Sequence, residues 1–133
     1  MKITIIILLI GVLGAGVCNY YCKNDKENKM ETPTIESAKG VELYGNDEYI
    51  FLDVRTLSEH SAKAIPNSPV IPVQELENRV SELKKYKDKK IVVYCRSGNR
   101  SKRGTEILIN HGFDAVNLAG GMNKWKGAVI SGE

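Results

Sequence analysis

Short apolar runs alternate with longer amphipathic stretches from about residue 34 onward, and no other feature restricts the fold as tightly. Residues 49–54 follow the turn-forming Gly45-Asn46 and lead into polar residues, as a buried strand should. Residues 91–94 form a second apolar run. Val70-Ile71, hemmed by Pro69 and Pro72, predicts a short third strand, and residues 115–118, ending at Gly120-Gly121, a fourth. Leu76, Val80 and Leu83 recur at helical spacing among Glu and Lys, which predicts an amphipathic helix over 74–85. Residues 101–111 predict another, with Gly104, Ile107 and Leu108 on one side and Gly112 just past its end. Strands that alternate with helices at this spacing imply an α/β fold of three layers, a mostly parallel sheet with helices on both faces and right-handed crossovers.

The first segment stands apart. Residues 3–17 are almost wholly apolar, and Lys2 is the one charged residue in the first 22. Two readings remain open for residues 1–22: a secretory signal peptide ending near Gly14, Ala15 and Gly16, or an uncleaved membrane anchor of about 20 residues, roughly 30 Å as a helix. Lipidation at Cys18 is a third, opposed by Val17 before it. A buried core helix is disfavoured because Gly11, Gly14 and Gly16 are poor helix-interior residues and no polar face exists. Residues 23–34, polar with Pro33 near their end, are expected to form a linker, leaving 35–133 as the domain. The expected location is extracytoplasmic, in the periplasm or cell envelope, with membrane contact if the segment stays uncleaved. Cys18 and Cys22 then have two roles open to them, a local disulfide or membrane packing.

Within 133 residues, 42% are hydrophobic, enough for one core. The 19 basic and 16 acidic side chains are interspersed, so nothing in the charge pattern indicates nucleic acid. Three cysteines at this spacing make neither a disulfide framework nor a zinc site, and no metal or organic cofactor is expected.

Cys95 therefore needs its own explanation. It falls where the 91–94 strand gives way to Arg96, Ser97, Gly98, Asn99, Arg100 and Ser101, and then to a helix. Ligands of open α/β sheets gather beyond the carboxyl ends of strands. A tight loop there turns backbone N–H groups inward, and the helix adds its positive end, so an anion at the centre is stabilised. An ordinary thiol, with a pKa of about 8.5, is only a few per cent ionised at neutral pH; in this cradle the thiolate becomes the favoured form. Arg96 and Arg100 are expected to push the same way. Gly98 permits a tight turn, and Ser97, Asn99 and Ser101 are short polar groups that leave the cradle open.

Four segments together resemble the single-domain rhodaneses: Leu52-Asp53-Val54-Arg55, Ala64-Ile65-Pro66-Asn67-Ser68, the Cys95 loop, and Leu118-Ala119-Gly120-Gly121-Met122-Asn123-Lys124-Trp125. They occur in order and span nearly all of residues 35–133. The resemblance implies the rhodanese-like α/β fold and a persulfide on Cys95. Sulfane sulfur would pass from thiosulfate or a similar donor to a thiol or cyanide. The chain departs from the pattern at Ala64 and Asn67, where the family usually has His and Gly.

Asp53 and Arg55 are expected to form a buried ion pair that braces the site. His60 and His111 are expected at the surface or a helix end, and Trp125 in the core. One alternative is a non-catalytic sulfur carrier. Another is a phosphatase or arsenate reductase, which the loop length opposes: with five residues between, the position after Cys95 that should hold Arg is Ser101, while Arg100 arrives one position early for a phosphate cradle.

Overall fold

The computed structural model describes residues 31–132. The segment expected to be a signal peptide or anchor, Cys18, Cys22 and most of the expected linker lie outside the described residues. Among the described residues, no helix is long and apolar enough to cross a membrane. The compact unit that holds the sheet starts at Thr32. Thr32 is buried, and its hydroxyl donates to the Glu106 carboxylate. The segment from Thr32 to Thr34, expected in the linker, is thus part of the domain.

In chain order the elements are β1 (Thr34–Ile35), α1 (Ser37–Leu43), β2 (Tyr49–Asp53), α2 (Leu57–Ala62), α3 (Val73–Arg79), a 3-10 helix (Val80–Tyr86), β3 (Lys90–Tyr94), α4 (Asn99–Asn110), β4 (Ala115–Leu118) and α5 (Gly121–Lys124). The four strands lie in the order β1-β4-β3-β2, and every pairing is parallel. Alternation along the strands divides the apolar side chains between two cores. Leu52, Ile91, Val93 and Ala115 face one way, where Leu76 and Leu83 from the 73–86 segment and Leu108 of α4 cover them. Phe51, Val92, Tyr94, Val116 and Leu118 face the other, under Val41 and Tyr44 of the α1 region and Trp125. Trp125, Tyr44 and Phe51 meet edge-on, with ring centroids 5.5–6.2 Å apart. Each fully buried leucine contributes about 1.5–3 kcal/mol by leaving water, so Leu76 and Leu83 are the main anchors of their segment.

Three expectations need correction. Val70-Ile71 is no sheet strand: Val70 makes an isolated bridge to Asp53, closed by Asp53 N–H to Pro69 O and Ile71 N–H to Asp53 O, both 2.9 Å. Pro69 and Pro72 on either side have no N–H to extend the ladder. The fourth strand is instead β1, only two residues long. The helix expected over 74–85 is α-helical only to Arg79 and then tightens into the 3-10 helix, which keeps Leu76 and Leu83 buried while Val80 is half-covered. The helix expected over 101–111 begins two residues earlier, at Asn99.

Candidate active site

Cys95 continues the alternation of β3. Val93 and Cys95 share the face covered by α4, so the thiol lies under the amino end of that helix. The loop is short: Arg96, Ser97 and Gly98 connect Cys95 to the first residue of α4. Gly98 has φ of +106°, a left-handed turn that costs a side-chain-bearing residue energy, and this turn aims its N–H at the sulfur, with N 3.1 Å from Sγ. The loop is held from outside by the start of α5, where Met122 N–H donates to Cys95 O (2.9 Å) and Asn123 N–H to Arg96 O (3.0 Å). A Cβ at Gly121 would stand 2.2 Å from Cys95 O, so only glycine lets the two segments approach this closely. With the carbonyls turned outward onto α5, the N–H groups of the loop are left to face the sulfur.

Burial acts to push the Cys95 thiol up, since only 1% of the residue is exposed. Donation from the Ser101 hydroxyl and from the backbone N–H groups of Ser101, Gly98 and Ser97 outweighs this and holds the thiol below its ordinary range. The Ser101 Oγ lies 3.4 Å from Sγ and 2.6 Å from Oδ1 of Asn117, which sits on β4 opposite Val93. A hydroxyl has one proton to give. While it goes to Asn117, the neutral thiol can donate to Ser101. When Cys95 is a thiolate, Ser101 donates to sulfur instead, and the amide of Asn117 can turn its NH₂ toward the vacated lone pair. Ser101, Asn117 and Thr105, whose hydroxyl donates to Ser101 O at 2.8 Å, are all buried.

The opposite wall comes from residues 53–68. Asp53, fully buried, takes a bidentate contact from Arg55 (Nε 3.0 and 3.1 Å, Nη2 2.7 Å), and His60 Nδ1 lies 2.9 Å from its Oδ2. Burial opposes the Arg55 charge, yet the bonds to Asp53 more than offset it and raise the guanidinium above its ordinary value. Arg55 also donates to Lys63 O at 2.6 Å and stacks over the Tyr94 ring at 5.6 Å. His60 is at a helix end, in the last turn of α2, and is tied to the brace. His111 is exposed at the end of α4 against Glu77.

Tyr94, the residue before Cys95, fixes the Ile65–Ser68 turn. Ser68 Oγ donates to Ile65 O (2.6 Å), so the Tyr94 hydroxyl donates to Ser68 (2.7 Å) and accepts Ile65 N–H (3.2 Å). Desolvation is the main reason its phenol is pushed up to about 12. Both departures from the family pattern have a local account. Asn67 has φ of 60°, a conformation that Asn tolerates better than other side-chain-bearing residues and that otherwise favours Gly. Ala64, fully buried, exchanges two backbone hydrogen bonds of 2.9 Å with Ile130.

The two arginines of the loop are placed differently. Arg100 grips Glu59 through Nη1 and Nη2 (2.9 and 3.2 Å), and that bond holds the Glu59 carboxyl below its usual range. Glu59 also closes a capping box with Thr56 at the start of α2. Arg100 still favours the Cys95 thiolate through its charge, while the Ser101 hydroxyl and the loop N–H groups do most to lower the thiol. Arg96 is exposed and makes no ion pair among the described residues; Ser97 and Asn99 are exposed beside it. Sequence reading missed Asn117, Glu59 and Tyr94. A polar residue inside an otherwise apolar strand was the available signal for Asn117, and the Thr56-x-x-Glu59 spacing for Glu59.

A parallel α/β sheet with a thiol lowered by loop N–H groups at a strand's carboxyl end is an arrangement suited to nucleophilic chemistry at cysteine. The chain belongs to the rhodanese-like domain family, whose model matches residues 37–128, and its role is sulfur transfer. A sulfurtransferase from Allochromatium vinosum is 34% identical over 84 residues, which span 62% of this chain and 77% of that protein. YtwF of Bacillus subtilis, provisionally named a sulfurtransferase, is 36% identical over 99 residues, 74% of this chain and 94% of its own. The crystal structure of a rhodanese-related protein from Thermoplasma volcanium matches with a TM-score of 0.65 and 35% identity, covering 74% of this chain and 97% of that one.

Proposed function

We propose that the protein takes sulfane sulfur from thiosulfate or a similar donor onto Cys95 and passes it to a thiol or to cyanide. The observation that carries this reading is the cradle itself: a buried thiol held low by Ser101 and by the N–H groups of Ser97, Gly98 and Ser101. The Cys95 thiolate attacks the outer sulfur of thiosulfate. A new S–S bond forms, the old one breaks, and sulfite leaves with the electron pair. The terminal sulfur of the persulfide carries the negative charge and occupies the anion position of the loop. An acceptor thiolate then attacks that sulfur and releases Cys95 as thiolate. Asp53, Arg55 and Tyr94 hold the wall and take no part in bond exchange.

Supplying the full chain, in mild detergent, with thiosulfate and cyanide should yield sulfite and thiocyanate in equal amounts over many turnovers. Cys95→Ser should reduce both to background. Activity that survives this substitution overturns the mechanism, and a protein that loads one sulfur and then stalls is a carrier. Export is part of the same proposal, supported by the apolar residues 3–17 after Lys2. Externally added protease should remove the domain from cells whose outer barrier has been opened. Protection until the inner membrane is lysed would place it inside.

A further inference from the structure

Strand β2 is an outer strand of the sheet, and its free edge is open at one residue. Glu48 O accepts Lys90 N–H and Val54 N–H donates to Tyr94 O, so the even-numbered residues from Glu48 to Val54 face β3 and the odd-numbered ones face away. On the outer side Tyr49 N–H donates to Asn46 O (3.0 Å), and Asp53 exchanges two bonds of 2.9 Å with Pro69 O and Ile71 N–H. Between them the outward N–H and C=O of Phe51 have no partner among the described residues, although only 4% of the residue is exposed. Main-chain groups so deeply placed are rarely left unpaired. The gap exists because Asn67, at φ of 60°, turns the 66–69 segment away from β2 before it reaches Phe51. A cleft of about 250 Å³ fills the space, and the Tyr44 hydroxyl ties its two banks together by donating to Pro66 O at 3.3 Å. The Phe51 ring is held edge-on by Tyr44 and Trp125, which leaves its main chain to face the cleft.

We propose that this gap binds the carboxyl-terminal residue of a polypeptide, laid antiparallel to β2. In an antiparallel pair one residue exchanges both hydrogen bonds with the residue opposite, which is what Phe51 offers; a parallel partner would need two residues to make the same bonds. A water takes about 30 Å³ of liquid, so the cleft admits roughly eight non-hydrogen atoms, one apolar residue of medium size. Antiparallel placement directs the ligand's carboxyl end toward the amino end of β2, where Lys90 pairs with Tyr49 and Lys89 precedes it in the cleft lining. Lys89 is half-buried and pairs with no carboxylate among the described residues, while its neighbour Lys90 takes Asp114 at 3.7 Å. Asp47, the one acidic residue of the lining, is exposed, where water and salt screen it. The ligand N–H therefore donates to Phe51 O, Phe51 N–H donates to one carboxylate oxygen, and Lys89 meets the other. A chain that continued past this residue would run into the 44–47 turn, so a terminus fits and an internal segment does not. Cys95 lies elsewhere, past the carboxyl end of β3.

The test uses the full chain in mild detergent, isotope-labelled at the amide nitrogens of its two phenylalanines, Phe51 and Phe113. Phe113 N–H is bonded to Leu108 O and serves as the internal control. The probes are N-acetyl-alanyl-leucine, its carboxamide, and the form methylated on the leucine nitrogen; ligands of this size are expected to bind at about the millimolar level. The free acid should shift the Phe51 signal in the nuclear magnetic resonance spectrum and slow its hydrogen exchange, with Phe113 unmoved. The carboxamide should bind about tenfold more weakly for want of the charge, and the methylated form, which has no N–H for Phe51 O, at least as weakly. In Lys89→Gln the advantage of the acid over the carboxamide should fall to about threefold. Cys95→Ser should bind the acid with unchanged affinity. A Phe51 signal that the acid does not move, or that all the probes move alike, overturns the proposal. So does an advantage that Lys89→Gln leaves intact, or binding that is lost in Cys95→Ser, which would put the peptide at the loop.

Discussion

The loop from Cys95 to Ser101 and the wall from Asp53 to Ser68 face the same site, yet they are held by opposite means. The wall is held by charged groups: Arg55 and His60 both contact the Asp53 carboxylate, and Glu59 bonds to Arg100. The loop works through dipoles, with Gly98 N–H and the Ser101 hydroxyl directed at sulfur and the outward carbonyls taken up by α5. A fixed dipole favours an anion without adding a net charge that would need a partner of its own. Damage to the wall should therefore appear first as lost stability, and damage to the loop as a changed thiol.

Asp53→Ala is the most severe test of the wall. It strands the nearly buried Arg55 guanidinium without its carboxylate, and breaking a buried pair in this way costs about 3–5 kcal/mol. Urea unfolding should show that loss, whereas the thiol of the molecules that remain folded should alkylate with an unchanged pH midpoint. A large move of that midpoint would mean that the wall tunes the sulfur directly.

Gly121→Ala tests the seam where the loop leans on α5. Its Cβ would meet Cys95 O at 2.2 Å and Arg96 O at 2.9 Å, and the φ of +48° adds strain, for a combined cost of about 2–3 kcal/mol. Here both readouts should change. As the loop shifts, Sγ loses its aligned donors, and the alkylation midpoint should rise toward that of an ordinary thiol. A loss of stability with the midpoint unmoved would show that α5 supports the loop without orienting it.

Ser101→Ala isolates one donor. Its hydroxyl is the strongest of the influences that lower Cys95, so its removal should raise the alkylation midpoint by an amount worth about 1–2 kcal/mol. The sign for stability follows from the same shift. A thiol lowered in the folded state adds stability fully above the unfolded-state thiol value, and that contribution is lost as pH falls through the folded value. In Ser101→Ala this alkaline gain should shrink. Asn117→Asp should also raise the midpoint, since the carboxylate only accepts and keeps the Ser101 proton for itself.

This division also explains what could be read from the sequence. The strands, the two long helical segments and the Cys95 loop follow from periodicity and turn residues, which are local signals. The two-residue β1 exists only because β4 offers it an edge, with Thr34 paired to Asn117, and two residues carry no period. Helix α2 has six residues and buries none fully, so no apolar stripe announces it. In the site, the sulfur and its loop were legible because consecutive residues build them. The Glu59 contact that occupies Arg100 spans 41 positions, and the Asn117 contact with Ser101 spans 16. Both are pairings made by the fold between segments with no local reason to be read together.

The smallest expected effect is also the sharpest test of whether ions or dipoles set the thiol. Glu59→Gln keeps an acceptor for the capping box of α2 but removes the negative charge that occupies Arg100. Freed of its partner, Arg100 should favour the Cys95 thiolate slightly more, so the alkylation midpoint should move downward. About a third of each side chain is exposed, and such a pair is worth about 0.2–1 kcal/mol. The expected move is therefore under about half a pH unit at moderate salt, and smaller still at high salt. A downward move of a full pH unit or more would make Arg100 the main support of the thiolate, with Glu59 as its restraint, and the loop N–H groups would become secondary.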